Sequence, residues 1–171
     1  MLSPQSYSTL HPMAPLGGLF VGTIGVFLIL GAILPALRMK LTYVGFAAGT
    51  LALFLGGRLA VGLPPPSKLR VTSLVFAIIA EITMFVFLMP LARRKGERAV
   101  LVATLAIVSV HFLVMLPAFG TLIGVLAMLC MLNAAIAWRT PSYRISLAWF
   151  MDGGMKLGLG ILLLKTSPLF A

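Results

Sequence analysis

Charged residues are scarce in this chain. They make up 9% of its 171 residues, whereas an ordinary soluble domain carries about 25%. Hydrophobic residues make up 61% of the chain, and the mean hydropathy is +1.14. So few polar side chains cannot cover the surface of a globule in water. The composition therefore excludes an ordinary soluble domain and predicts a protein whose surface meets lipid.

The chain also lacks the residues that most catalytic and metal sites need. Its one cysteine, Cys130, lies in an apolar run, so no disulfide can form within the chain and the residue is interpreted as a packing side chain. No zinc-type Cys/His cluster, Gly-rich phosphate loop or G-x-S-x-G motif occurs. Three acidic residues are too few for a divalent-metal cage. We therefore expect no metal and no cofactor, and we favour a non-enzymatic function.

Long apolar runs are what the chain has instead. Each is about 20 residues long, enough for a helix to cross a hydrocarbon core of about 30 Å, and none alternates as a β-barrel strand does. The prediction is an all-α integral membrane protein, a compact bundle of about six transmembrane helices. Pro117 and Gly120 divide one uncharged stretch that is too long for a single span. The predicted spans are 16–37, 41–63, 71–92, 99–119, 121–138 and 145–164.

Two short tails flank the predicted spans. Residues 1–15 form a polar tail that contains three prolines and no Lys or Arg. This segment is expected to be disordered or to lie at the membrane interface, with His11 solvated. Residues 165–171 form a short C-terminal tail.

The distribution of cations predicts the orientation. The net charge is +10, and most cations lie between spans, where they are expected to face anionic lipid headgroups rather than a nucleic acid. Three, Lys68, Arg70 and Lys165, lie on one face and eight on the other. Short loops rich in Lys and Arg stay in the cytoplasm. The prediction is a multi-pass protein of the cell inner membrane, N-out/C-out. The eight cations are Arg38, Lys40, Arg93, Arg94, Lys95, Arg98, Arg139 and Arg144.

Glycines recur four residues apart along the predicted helices. In lipid, such pairs let helix backbones approach closely. Packing within one bundle is favoured, and a homo-oligomer or hetero-complex formed through these faces is the alternative. The pairs are Gly18 and Gly22, Gly45 and Gly49, Gly120 and Gly124, and Gly154 and Gly158.

Polar residues within the predicted spans are the candidate site. An ionised side chain at membrane depth costs about 2.5–3.5 kcal/mol on an insertion scale, so each needs an explanation. We interpret six residues as candidates for binding or for a proton relay. They are Arg58, Glu81, His111, Asn133, Asp152 and Lys156.

Glu81 lies about ten residues from either end of its predicted span, which places it near the bilayer midplane. An unpaired carboxylate at that depth is expected to hold a proton. Arg58 has three interpretations. It extends to the outer interface, it pairs with Glu81, or it contacts an anionic substrate.

Asp152 and Lys156 are four residues apart with the acid first, the favourable order for a pair on one helix. They either neutralise each other, or Lys156 pairs with Glu81 or with a substrate while Asp152 faces a water-filled vestibule. His111 is either a hydrogen-bonded structural residue or part of a proton relay with Glu81. As a haem or pigment ligand it would have no second histidine within the spans. Asn133 is expected to form a hydrogen bond across helices.

The charged residues and His111 are expected to converge on a polar midplane cavity. The leading hypothesis is a proton-coupled transporter or channel for a small solute, and the excess of cations favours an anionic one. The alternative is a non-catalytic membrane subunit or scaffold that binds partner helices. A third possibility is a membrane-embedded enzyme that modifies a lipid by acid–base chemistry.

Overall fold

The computed structural model describes residues 4–141 and 144–170, and these ranges contain helices and turns but no strand. The predicted all-α architecture is confirmed, because six helical segments are long and apolar enough to cross a membrane. The 3-10 turns Pro35–Leu37, Gly56–Ala60 and Pro168–Phe170 extend or follow α-helices. The α-helices are α1 (Pro4–Leu10), α2 (Ala14–Ile33), α3 (Arg38–Leu55), α4 (Lys68–Arg94), α5 (Glu97–Val114), α6 (Leu116–Phe119), α7 (Thr121–Arg139) and α8 (Ile145–Leu164).

Proline and glycine shift two helix ends from the sequence-based bounds. α2 ends at Ile33 rather than at residue 37, because the residue before Pro35 avoids the helical conformation. α5 ends at Val114 rather than at residue 119, and Pro117 lies in the separate short helix α6. Gly120 then turns the chain with a φ of +86°, which side chains other than glycine rarely tolerate.

Helices α2 and α8 form the most closely packed pair in the bundle. A Cβ on Gly160 would lie 2.5 Å from the Gly22 Cα, and one on Gly25 would lie 2.6 Å from the Leu157 nitrogen. The two backbones therefore touch along their length, as close glycine packing in lipid permits. On α8, Gly153 and Gly160 make these contacts.

The sequence-based pair Gly154 and Gly158 faces outward instead. A Cβ added at either position would meet nothing within 4 Å. Helix α3 does use its predicted pair, because Cβ atoms on Gly45 and Gly49 would press on Phe27 and Phe20 of α2. The glycine pattern thus identified the helices that pack closely. On α8 it did not identify the face that makes the contact.

Helix α4 is the most peripheral long helix. It packs mainly on α5, which in turn packs on α7, while α3 packs on α2 and barely contacts α4. Few of its residues are buried, with Ala77, Met89 and Ala92 as the exceptions. The side of the bundle formed by α3 and α4 is therefore loosely packed, in contrast to the α2–α8 side.

The N-terminal segment, expected to be a disordered or interfacial tail, contains a docked helix. The Tyr7 hydroxyl donates to the Phe119 carbonyl at 2.9 Å and accepts from the Leu122 amide at 3.1 Å. Both backbone groups lie beside the break at Gly120, where helix ends leave polar groups without intrahelical partners. Arg70 of α4 donates to the Leu10 carbonyl, so α1 also holds the start of α4.

Candidate functional site

Three polar residues occupy the middle of their helices. Glu81 lies thirteen residues from each end of α4, and Lys156 lies eleven residues after the start of α8. Cys130 is nine residues from either end of α7. At 1.5 Å per residue these positions are roughly 12–20 Å from the helix ends. The side chains therefore lie deep within the bundle, far from both ends of the helices.

Glu81 and His111 form a pair between α4 and α5. The Glu81 Oε2 lies 3.3 Å from the His111 Nδ1, which also lies 3.0 Å from the Ala77 carbonyl oxygen. His111 is buried, and 13% of the Glu81 side chain remains exposed. The second oxygen of Glu81 and the Nε2 of His111 are buried without a hydrogen-bond partner. The pair therefore keeps one free acceptor and one free ring nitrogen.

The Glu81–His111 pair lines a cavity of about 150 Å³ between α2, α3, α4 and α5. Its other walls are apolar except for Thr50, and three of them are phenylalanine rings. Phe54 is 76% exposed, so the cavity reaches the outer surface beside α3. The remaining lining residues are Phe20, Phe46, Leu53, Leu74, Ile78 and Met115. The site is thus an apolar chamber with a single acid–imidazole pair in its wall.

Asp152 and Lys156 form a second, fully enclosed pair on α8. The Lys156 ammonium donates to the Asp152 Oδ2, lies 3.7 Å from the Cys130 Sγ and lies 5.5 Å from the centre of the Phe112 ring. Both charged side chains are buried, as the spacing in the sequence predicts for mutual neutralisation. The Asp152 Oδ1 and the Trp149 Nε1 are buried without a hydrogen-bond partner.

The expected convergence on one cavity occurs only in part. Glu81 and His111 line the cavity, whereas Asp152 and Lys156 do not. Arg58 lies exposed in the turn Gly56–Ala60, so the carboxylate of Glu81 is paired with His111 and not with Arg58.

Asn133 forms the interhelical hydrogen bond that its position suggests. Its amide nitrogen donates to the Ala148 carbonyl at 2.8 Å and joins α7 to α8. Within residues 4–141 and 144–170, no group of three His, Cys, Asp or Glu side chains could hold a metal ion.

Two cations that sequence reasoning assigned to loops stabilise helix ends. Arg38 is buried, donates through Nε to the Gly31 carbonyl at 3.2 Å, donates to the Ser146 hydroxyl and lies 5.7 Å from the centre of the Trp149 ring. Arg98 donates to carbonyls at the end of α7, including that of Trp138 at 2.6 Å. Apart from Gly31, which is seven residues from Arg38, these partners lie 40 or more residues away along the chain, so no local spacing links them.

Comparison with known proteins assigns a family without a function. Residues 8–169 match a family described as a family of unknown function, DUF6609. The match covers nearly the whole chain, which therefore belongs to that family. No curated protein and no solved structure matches the chain.

Proposed function

We propose that this member of DUF6609 is a multi-pass membrane carrier that exchanges protons for a small lipophilic cation at Glu81. The observation that carries the proposal is the unpaired, buried Glu81 oxygen in the wall of an aromatic-lined cavity. Six membrane-long helices support insertion in a bilayer. The side with eight loop cations is the proposed cytoplasmic side of the inner membrane, with both termini outside.

The lining of the cavity favours a cation over the anion suggested by the net charge. Neither Arg58 nor Lys156 lines the cavity, so neither of these cations is placed to bind an anionic solute there. Phenylalanine faces attract organic cations, and desolvation strengthens that attraction. The Glu81 carboxylate supplies the opposite charge. A compact cation with an apolar body therefore matches both the walls and the acid.

Proton coupling follows from competition for one carboxylate. A proton and an organic cation each neutralise Glu81, and the low dielectric of the interior makes an unneutralised carboxylate costly. Each species is therefore bound when the other leaves. His111, in contact with Glu81, is positioned to accept or supply the proton.

The test uses benzyltrimethylammonium, a quaternary cation that cannot itself titrate. The native protein in proteoliposomes should take up the labelled cation when a proton gradient is imposed, and its binding should weaken as pH falls. Glu81→Gln should abolish both the uptake and the pH dependence of binding. Glu97→Gln is the matched control, because Glu97 is exposed at the turn between α4 and α5. Unchanged uptake by Glu81→Gln would contradict the proposal.

The second candidate function is a non-catalytic membrane subunit. It draws on the outward-facing Gly154 and Gly158, which leave an open strip on α8. A partner helix could approach closely along that strip. Mass measurement after mild detergent extraction separates the two functions. A stable hetero-complex that Gly158→Leu disrupts would favour the subunit, whereas a lone chain or homo-oligomer would favour the carrier.

A further inference from the structure

Small side chains on α5 leave a groove on another side of the α4–α5 hairpin. Ala99, Ala103 and Ala106 lie four and three residues apart, so they share one face of the helix. The larger side chains of Leu88 on α4 and Trp138 on α7 stand on either side of this alanine strip. These side chains help to line the groove, which has a volume of about 330 Å³.

The groove has a cationic mouth. A second cavity of about 300 Å³ adjoins the first and shares Lys95, Ala99 and Trp138 with it, and Arg98 also lines it. Lys95 is exposed. The hydrogen bonds of Arg98 to α7 all use one terminal nitrogen, Nη2. A guanidinium carries five N–H donors, and no group in the described ranges 4–141 and 144–170 accepts from the Nε or Nη1 of Arg98, which can therefore bind an anion.

Trp138 marks the junction between the apolar and cationic parts. It lies one residue before the end of α7 and is 60% exposed. Indole rings favour this depth, where the hydrocarbon meets the headgroups, because they have an apolar body and one polar N–H. The groove therefore has an apolar floor and two cations at its mouth. The cations lie at the depth where the acyl chains of a phospholipid end and its phosphate begins.

We infer that this groove is a binding site for an anionic phospholipid. One acyl chain lies over Ala99, Ala103 and Ala106, and the phosphate contacts Lys95 and Arg98. The charge of the mouth and the apolar floor match the two halves of that molecule, as in basic pockets between transmembrane helices that hold anionic headgroups. A partner helix or a second copy would match the floor but would leave the two cations unused. The inference requires membrane insertion and does not depend on transport at Glu81.

Trp138 makes the site measurable in the full-length protein. The chain has two tryptophans, and Trp149 is fully buried, so lipid-dependent quenching of fluorescence reports on Trp138. Vesicles of phosphatidylcholine would contain the same small fraction of brominated phosphatidylglycerol or brominated phosphatidylcholine. We expect stronger quenching by brominated phosphatidylglycerol. Trp138→Phe gives the background signal.

Lys95→Gln tests the headgroup contact, and Lys40→Gln is its matched control. Both lysines are exposed and belong to the same set of eight cations, but Lys40 lies on α3, away from the groove. Lys95→Gln should lower the preference for phosphatidylglycerol about fivefold, the effect of one cation near an anionic lipid, and Lys40→Gln should leave it unchanged. Ala103→Phe, which fills the groove, should reduce quenching by both lipids.

Three outcomes would overturn the inference. Equal quenching by the two lipids in the native protein would mean no headgroup selectivity. An equal loss of preference in Lys95→Gln and Lys40→Gln would mean a general effect of surface charge. Quenching by neither lipid would mean that Trp138 is covered by a partner helix or a second copy.

Discussion

The two buried pairs belong to regions of opposite packing. Asp152 and Lys156 lie on one helix, α8, beside Cys130 of α7 and Phe112 of α5, and the same helix touches α2 closely through glycines. Glu81 and His111 lie on two helices, at the loosely packed side where α4 has few buried residues. Both side chains of the enclosed pair are buried and lie outside the cavity that the other pair lines. The comparison teaches that one charged pair of this fold is sealed and neutralises itself, whereas the other borders a cavity.

The largest expected effect comes from breaking the enclosed pair. Lys156→Met leaves the Asp152 carboxylate buried without a partner and should lower the free energy of unfolding by about 3–5 kcal/mol. The double variant Asp152→Leu with Lys156→Met should be about as stable as the native protein, because it removes both charges. Unfolding in mixed detergent–SDS micelles, followed by helix content, measures each free energy. A double variant as unstable as the single one would show that the pair does more than neutralise itself.

The contrast between packed and open glycines is tested by replacing one glycine of each kind with alanine. Gly25→Ala puts a Cβ about 2.6 Å from the Leu157 nitrogen, which forces α2 and α8 apart and should lower the free energy of unfolding by about 1–3 kcal/mol. Gly158→Ala meets nothing within 4 Å and should be neutral or stabilising, because alanine favours a helix more than glycine does. The same unfolding measurement compares them. Similar losses in both variants would contradict the assignment of Gly153 and Gly160 to the packed face.

The smallest effect concerns pH and His11, which lies near the start of α4. Burial of His11, together with the charge of Arg70, lowers the pKa of this imidazole below its ordinary value of 6.5. The unfolded chain therefore binds a proton at higher pH than the folded chain does. Stability should be greatest above about pH 6.5 and should fall as pH drops from there towards the lower pKa of the folded state.

His11→Gln removes this contribution and should flatten the pH dependence. Thermal unfolding at about pH 7.5 and about pH 5.5, below the ordinary pKa, should show a larger drop in Tm for the native protein than for the variant. Glu81 and His111 are present in both proteins, so the difference isolates His11. Equal drops would mean that His11 does not titrate on unfolding in this range.

Much of the architecture was predictable because it depends on features local in the sequence. Runs of about 20 apolar residues define the membrane-long helices, and the spacing of Asp152 and Lys156 alone brings them together on one helix. The bounds of α2, α3 and α5 were less accurate. The predicted spans of α2 and α5 ran past a break near proline, and the span predicted to end at residue 63 ends as an α-helix at Leu55. The helix at Pro4–Leu10 was missed because its partners, Phe119 and Leu122, are more than a hundred residues away.

The sequence by itself determined the class of protein, its six long helices and the enclosed pair, since composition and helical spacing act within single segments. The tertiary structure alone decided that Glu81 meets His111, that Arg58 lies outside the site and that Gly153 and Gly160 are packed while Gly154 and Gly158 are open. These outcomes depend on which helices are neighbours and on how each is rotated about its axis. A uniformly apolar helix carries little information about that rotation, so packing between helices had to supply it.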